Sequence, residues 1–425
     1  MKLVLALGLA LAASVPSTAA APADPAVQRI VSSAAVREAA SALEAGHEEW
    51  VRNTIEITEI PAPPFKEAAR AARFAEMLRA RGLADVEIDE EGNVLALRKG
   101  TRPGPVVVVS AHLDTVFPAG TDVKVRREGD KLFAPGIGDD SAGLATILSL
   151  VDAMRAAKIR TTSDILFVGT VGEEGLGDLR GVRHLFTKGK YKDRVKTFFS
   201  IDDSGLDEIT TAGTGSRRYR VTFRGPGGHS WGAFGIVNPM AALAGTVAGL
   251  YRVEVPKDPK TTYSASVVGG GTSVNAIPEE VWLEVDMRSA SAEELAKLDR
   301  QFLAVVGSAV AAENGARSTG QGSVTAEPKL IGDRPAGRTA LDADLLRHTL
   351  AAYRSEGIEV RQAAASTDGN VPMSLGIPSV TVSGNATGGR AHAPDEWIGT
   401  DKAENVRLKR IVLAAILAAA GMPRR

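Results

Sequence analysis

The chain has 425 residues, 44% of them hydrophobic, and a formal net charge of −1. That length exceeds one typical domain, and the near-neutral balance argues against a nucleic-acid binder or a charged interaction tail. The absence of cysteine excludes thiolate metal sites, cysteine nucleophiles and disulfides, so any metal must be held by histidines and carboxylates.

The opening "MKLVLALGLALAASVPSTAAAPADP" runs from Lys2 through an apolar stretch to small residues between Ser17 and Ala21. That layout predicts a signal peptide over residues 1–21, cleaved near Ala20 or Ala21, and an exported protein, periplasmic or secreted. The apolar run is too short for a span of about 20 residues. From Ala26 to Ile60 the pattern reads as helix, which "PAPP" at Pro61–Pro64 breaks. "KEAARAARFAEMLRARG" predicts a second helix ending at Gly82. "PVVVVSAHLD" is a continuous apolar strand, as expected when both faces are covered. The helix "SAGLATILSLVDAMRAAK" and the strands "DILFVGTV" and "KTFFSID" follow. Alternating strands and helices predict an α/β domain, a mostly parallel sheet with helices on both faces.

Near Gly215 the character changes. "RRYRVTFRG" alternates as a half-exposed strand does. "NPMAALAGTVAGLYRV" and "SAEELAKLDRQFLAVVGSAVAAEN" read as helices, "YSASVVGGG" and "EEVWLEVDMRS" as strands. This order predicts a small ferredoxin-like α+β unit of the split βαβ kind. The α/β pattern resumes after about residue 330 with "DADLLRHTLAAYRSEG" and "PSVTVSG". The expected organisation is therefore 22–214 and 331–425 as one α/β domain, interrupted by an inserted domain at 215–330.

Ligands of open α/β sheets bind outside the carboxyl ends of the strands, and here those ends carry metal-type side chains. The first strand ends in His112 and Asp114, and the loop "APGIGDDSAG" carries Asp139 and Asp140. "DILFVGTVGEE" ends in Glu173 and Glu174, "KTFFSIDDSG" in Asp202 and Asp203, and the loop after "PSVTVSG" holds His392. Residues two apart on a strand share a side, so Asp114 is expected to accept from the far ring nitrogen of His112 and orient it. Carboxylates gathered in one cleft repel unless cations neutralise them, and two divalent ions are a common solution for hydrolysis. Adjacent glutamates on a strand point apart, so Glu174 is assigned to metal. Glu173 is assigned as general base, accepting a proton from metal-bound water.

"SAHLDTV", "GIGDDSAG", "GEEGLG", "SIDDSG", "GPGGHS", "SVNAIP", "DMRS", "STDGNVP" and "HAPDEW", in this order, resemble the di-zinc exopeptidase and aminoacylase family. Its members include peptidase T, glutamate carboxypeptidase, acetylornithine deacetylase and succinyl-diaminopimelate desuccinylase. The resemblance implies two Zn2+ ions, with Co2+ or Mn2+ also accepted by such ligands. Asp139 would bridge them, His112 and Asp202 would hold one, and Glu174 and His392 the other. Asp114 would be the catalytic aspartate supporting His112. The inserted domain would be a lid and dimerisation domain. From it His229 would support the oxyanion, often in the partner's site, and Asn275 and Arg288 would hold a substrate carboxylate.

Two departures stand out. Ser141 follows "DD" where many relatives carry lysine, and is a good helix N-cap. "IDDS" offers a second aspartate, so Asp203 stands as the alternative to Asp202. His47, His184 and His348 read as surface or packing residues, and Asp140 as shaping the metal loop. Asp368 and Asn370 match a cleft motif without a defined role. Together these readings predict an exported zinc-dependent exopeptidase acting on short peptides through a metal-bridged hydroxide. The alternative is an N-acyl-amino-acid deacylase, and the reading from another class is a non-catalytic metal-dependent binding protein.

Overall fold

The computed structural model describes residues 24–423, so the predicted signal peptide lies outside the described residues. No helix among the described residues is long and apolar enough to cross a membrane. The amino-terminal segment expected as one helix is three: α1 (Pro25–Val31), α2 (Ala34–Ala45) and α3 (His47–Thr58). Ser33 accepts from Val36 N and so starts a new helix, as serine does at N-caps. The next break falls at Gly46, which both ends α2 and precedes α3. Helix α4 spans Ala68–Ala80 and α5 Gly143–Ala156.

The large sheet contains β1 (Asp85–Ile88), β2 (Val94–Arg98), β3 (Val106–His112), β4 (Asp164–Thr170), β5 (Val195–Ile201) and β6 (Glu208–Gly213). Later in the chain come Gly337–Arg338, Arg361–Ala365 and Ser379–Val382. The order along the sheet is β1, β2, β4, β3, β5, Ser379–Val382, β6 and Gly337–Arg338, with Arg361–Ala365 pairing β6. Its centre is parallel: β4 with β3, β3 with β5, and β5 with Ser379–Val382. Towards the edges β2 and β6 run antiparallel to their inner neighbours. Strand β6 and the strand Arg361–Ala365 carry no strong apolar run, and the sequence reading missed both.

Successive side chains of the central strands enter different cores. Val107, Val109, Ile165, Phe167 and Phe199 pack with the helices on one face. Val106, Val108, Leu166, Val168 and Phe198 pack on the other with Val182 and Leu185 of α6 (Arg180–Thr187). This two-sided burial explains the uninterrupted valines of β3. It also leaves polar side chains one place to emerge, the strand ends.

The inserted unit has its own core and four-stranded antiparallel sheet. Its strands are Gly215–Arg224, Thr261–Gly270, Glu280–Ser289 and Thr325–Arg334, with Glu280–Ser289 and Gly215–Arg224 central. Helices Pro239–Leu250 and Ala292–Ala316 cover one face. Asn238 and Ser291 cap them by accepting from Met240 N and Glu294 N. The last strand, "TAEPKLIGDR", was not read from the sequence, because most of its side chains are exposed or half-buried. It ends at Arg334, and there the chain returns to the large sheet. Both crossings are tied to one side chain: Asn370 Nδ2 donates to Thr214 O and Pro335 O, each at 2.9 Å.

Candidate metal centre

The ends of β3, β4 and β5 bring His112, Glu173, Glu174 and Asp202 to one edge, and two loops add Asp139 and His392. Asp139 lies between the imidazoles. Its Oδ1 is 2.7 Å from His112 Nε2 and its Oδ2 is 3.1 Å from His392 Nε2. Glu174 Oε1 is also 3.1 Å from His392 Nε2, and Asp202 Oδ1 is 3.9 Å from His112 Nε2. One carboxylate thus presents an oxygen to each of two histidines, and each histidine has a further carboxylate beside it.

Asp140 lies near the same cluster, but its oxygens are already engaged. Oδ2 accepts from His112 N at 2.9 Å and Oδ1 from Gly143 N at 3.1 Å. It therefore holds the loop to β3 and starts α5, the capping role expected of Ser141. The Ser141 hydroxyl is instead buried without a partner. A Cβ at Gly143 would collide with Asp140 Oδ1 and Ile201 O, so only glycine fits there. Asp203 also lines the cleft, with its Oδ1 accepting from Ser204 N at 2.7 Å, but it makes no contact with His112 of the kind Asp202 makes. Of the two aspartates, Asp202 faces the cluster.

The expected contact between the Asp114 carboxylate and the His112 ring is corrected. His112 Nδ1 lies 3.0 Å from the backbone O of Asp114 and 3.7 Å from its Oδ1. The carboxylate instead accepts from Glu173 N at 3.0 Å and Glu174 N at 2.8 Å. The physical reason is that β3 ends at His112, so strand alternation no longer governs Asp114. The contact of Nδ1 with the backbone carbonyl orients the ring and directs Nε2 into the cleft. Asp114 sits beneath both glutamates and aims them.

Three residues that sequence reasoning passed over complete the site. Arg334 Nη1 donates to Glu173 Oε1 and to Ser366 Oγ, each at 3.0 Å, and its Nη2 to Glu173 O. Glu396, within "HAPDEW", accepts from Gly136 N, Gly138 N and Asp139 N at 2.8–2.9 Å, cradling the loop that carries Asp139. Arg70, fully buried in α4, donates to Leu113 O at 2.9 Å and to Ile60 O. The motif could have pointed to Glu396. Arg334 and Arg70 have no local signal, being ordinary arginines in a strand and a helix.

Crowded carboxylates resist ionisation. Burial, then the charge of Asp139, pushes the Asp202 carboxyl up to about 8. Burial also raises Glu173 well above the ordinary range, with Glu174 adding to it and Arg334 opposing. Burial opposes ionisation of Asp139 too, but hydrogen bonds from His112 and His392 outweigh it and hold this carboxyl below the ordinary range. Two imidazoles and three carboxylates, held where negative charge is costly, fit two divalent cations of the zinc, cobalt or manganese type.

The cleft over this cluster has a volume of ≈ 500 Å3 and includes Arg218, Arg288 and Arg334 in its walls. His229 and Asn275 are not among its lining residues. His229 lies on a two-stranded ladder opposite Ala276, and Asn275 directly precedes that ladder, its O accepting from Ser230 N at 2.9 Å. His229 is exposed, its Nδ1 accepting from Trp231 N at 3.2 Å. Asn275 Oδ1 accepts from Ser273 Oγ at 2.6 Å. His47 and His184 are buried, the former stacked on Trp50. Asp368 accepts from the Thr170 hydroxyl beneath the cleft.

Fold and site together define an α/β protein with an inserted α+β unit and a candidate two-metal cleft at the strand ends. The chain belongs to peptidase family M20/M25/M40, whose family model matches residues 108–417. It is 28% identical over 206 residues to carboxypeptidase G2 of Pseudomonas sp., 48% of either chain. It is 25% identical over 253 residues to succinyl-diaminopimelate desuccinylase of Corynebacterium glutamicum, 57% of this chain and 66% of the relative. The alignments thus span from about half to just under two thirds of these relatives. Among solved structures, aminopeptidase PepT of Bacillus cereus superposes with a TM-score of 0.70 at 20% identity, over 88% of this chain and 99% of that one. Human carnosine dipeptidase 1 gives 0.71 at 15% identity, over 91% and 99%. These likenesses establish the fold.

Proposed function

We propose that the protein is an exported, zinc-dependent exopeptidase that hydrolyses an amide bond in short peptides. The observation that carries this reading is Asp139, one oxygen towards each of two histidines, beside a glutamate that is not needed for binding metal. Two divalent ions held there would supply Lewis acidity for the amide carbonyl and lower the pKa of an attacking water.

The chain's own residues then divide the work. His112, Asp139, Asp202, Glu174 and His392 would hold the ions. Glu173 lies beside them with Oε1 fixed by Arg334, and no hydrogen bond among the described residues engages its Oε2. That oxygen is free to take the proton from water and deliver it to the leaving amine, and a raised pKa suits a shuttle. Arg288 in the cleft wall would bind the substrate carboxylate, for which a guanidinium is well shaped. His229 lies outside its own chain's cleft and beside exposed Trp231, Phe234 and Val274. That position suits a homodimer in which His229 supports the oxyanion in the partner's site. The leader pattern of residues 1–21 supports export.

A second reading, an N-acyl-amino-acid deacylase, is favoured by the likeness to the desuccinylase. One assay separates the readings. Zinc-loaded mature protein would be given free di- and tripeptides, N-blocked peptides with free carboxyl ends, and N-acetyl or N-succinyl amino acids, with and without chelator. Chelator-sensitive cleavage of short peptides is expected. Cleavage of acyl amino acids alone would move the assignment to the deacylase. No cleavage with two metals bound per chain would leave a binding protein.

A further inference from the structure

The exposed face of the inserted sheet carries a ladder of cross-strand ion pairs. Arg224 opposes Glu280, Arg220 opposes Glu284, and Arg218 opposes Asp286. In each pair the arginine Nε lies 2.9–3.0 Å from a carboxylate oxygen. At the rung that enters the metal cleft the pattern changes, because two arginines share one carboxylate. Asp286 Oδ1 accepts from Arg218 Nε at 3.0 Å, and Oδ2 accepts from Arg288 Nε at 2.7 Å. Arg218 Nη1 also donates at 3.0 Å to the backbone O of Gly175, the residue after Glu174. Among the described residues no hydrogen bond engages Arg218 Nη2 or either Nη of Arg288. The third arginine of the cleft, Arg334, is committed to Glu173 and Ser366.

We infer that Arg218 and Arg288 form a two-arginine subsite, and that this cleft selects substrates with two carboxylates. This rests on the proposed hydrolase, in which Arg288 takes one substrate carboxylate. Arg218 is the specificity-determining residue for the second, and Asp286 is the positioning residue. Asp286 holds both guanidiniums through Nε and turns their outer nitrogens free. One carboxylate balances one of the two positive charges, so the rung has room for anionic charge from the ligand. A site built to pair with a charged group rejects the uncharged isostere, whose binding leaves the guanidinium unsatisfied. The second carboxylate can sit on the side chain of the terminal residue or on an acyl group, and the test separates these sources.

The experiment compares matched acid and amide substrates on the zinc-loaded full chain: Ala-Glu against Ala-Gln, and N-succinyl-alanine against N-succinamoyl-alanine. Binding of glutamate against glutamine, and of succinate against succinamate, is followed by calorimetry. The expected result is a kcat/KM preference for the acid of roughly 10- to 100-fold in one pair, with binding in the same order. In Arg218→Gln the preference should fall to within about twofold, while Arg218→Lys retains part of it. Metal content and thermal unfolding show that each variant is folded. Turnover of both members of each pair at equal rates by the unaltered protein would overturn the inference and leave the hydrolase standing. So would an acid preference that survives Arg218→Gln, or a loss shared equally by acid and amide, the mark of a merely structural contact. Failure to cleave any substrate of the wider panel would remove the hydrolase reading, and this inference with it.

Discussion

The two sheets of this protein handle charge in opposite ways. The large sheet is buried on both faces, so its central strands carry almost no charge along their length and concentrate it at their ends. There the carboxylates divide into those already satisfied by backbone N–H groups, Asp114, Asp140 and Glu396, and those aimed into the cleft, Asp139, Glu174 and Asp202. The inserted sheet covers one face only. Its other face carries charges along the strands in cross-strand pairs, Arg224 taking Glu327 as a second partner, and at the rung nearest the metal cleft two arginines share one carboxylate. Fixed chemistry is built where water is excluded and the backbone can hold every oxygen. Selection among substrates is built on a face that starts out wet and charged.

The largest effect expected from this contrast is at Glu173. Glu173→Gln should lower kcat by about 10²- to 10⁴-fold while two metals remain bound and the inserted unit is unaltered. Metal analysis beside steady-state kinetics decides it, and an undiminished rate would sink the shuttle role. Next in size are paired core deletions. Phe199→Ala and Phe302→Ala should each cost about 3–5 kcal/mol, since both rings are fully buried in separate cores. Phe199→Ala, on the strand that leads to Asp202, should also weaken zinc binding, whereas Phe302→Ala should leave it intact. Equal loss of zinc affinity in both would mean that the two regions do not behave separately.

A third test uses pH. In the chelated protein, burial raises the carboxyls of Asp202 to about 8, Glu396 to about 7 and Asp368 to about 6. Hydrogen bonds to Asp139 and Glu174 raise His392 to about 10. The folded cluster therefore holds more protons than the unfolded chain between about pH 4 and 10, and it loses stability as pH rises through that range. Zinc at the cluster would displace the protons of its ligands Asp202 and His392, so stabilisation by zinc should grow from pH 5 to 8. Lys409 and His47, lowered by burial, are common to both forms and drop out of the difference. Unfolding midpoints with zinc and with chelator at each pH provide the measurement, and a zinc effect independent of pH would contradict it. The smallest effect expected is Ser291→Ala, which removes the cap of the long helix Ala292–Ala316 and should cost about 1 kcal/mol, seen as a lower midpoint for the inserted unit without change in zinc affinity.

What the sequence determined by itself was whatever is repeated or ordered along the chain. The valines of β3 announce a strand buried on both faces, and the alternation of "RRYRVTFRG" one buried on a single face, because burial leaves its period in the residues. The metal-type side chains could be found because each follows an apolar strand or a glycine-rich loop, and all of them come to one edge. Local patterns do not say which oxygen is free. Only the tertiary structure decided that Asp140 caps α5 while Asp139 faces both histidines, and that Asp114 supports two glutamates through their N–H groups. Arg334 reaches Glu173 across 161 residues, and Arg70 reaches Leu113 across 43. Such partners leave no trace in either neighbourhood, because a hydrogen bond depends on where the fold places two atoms rather than on the residues that flank them.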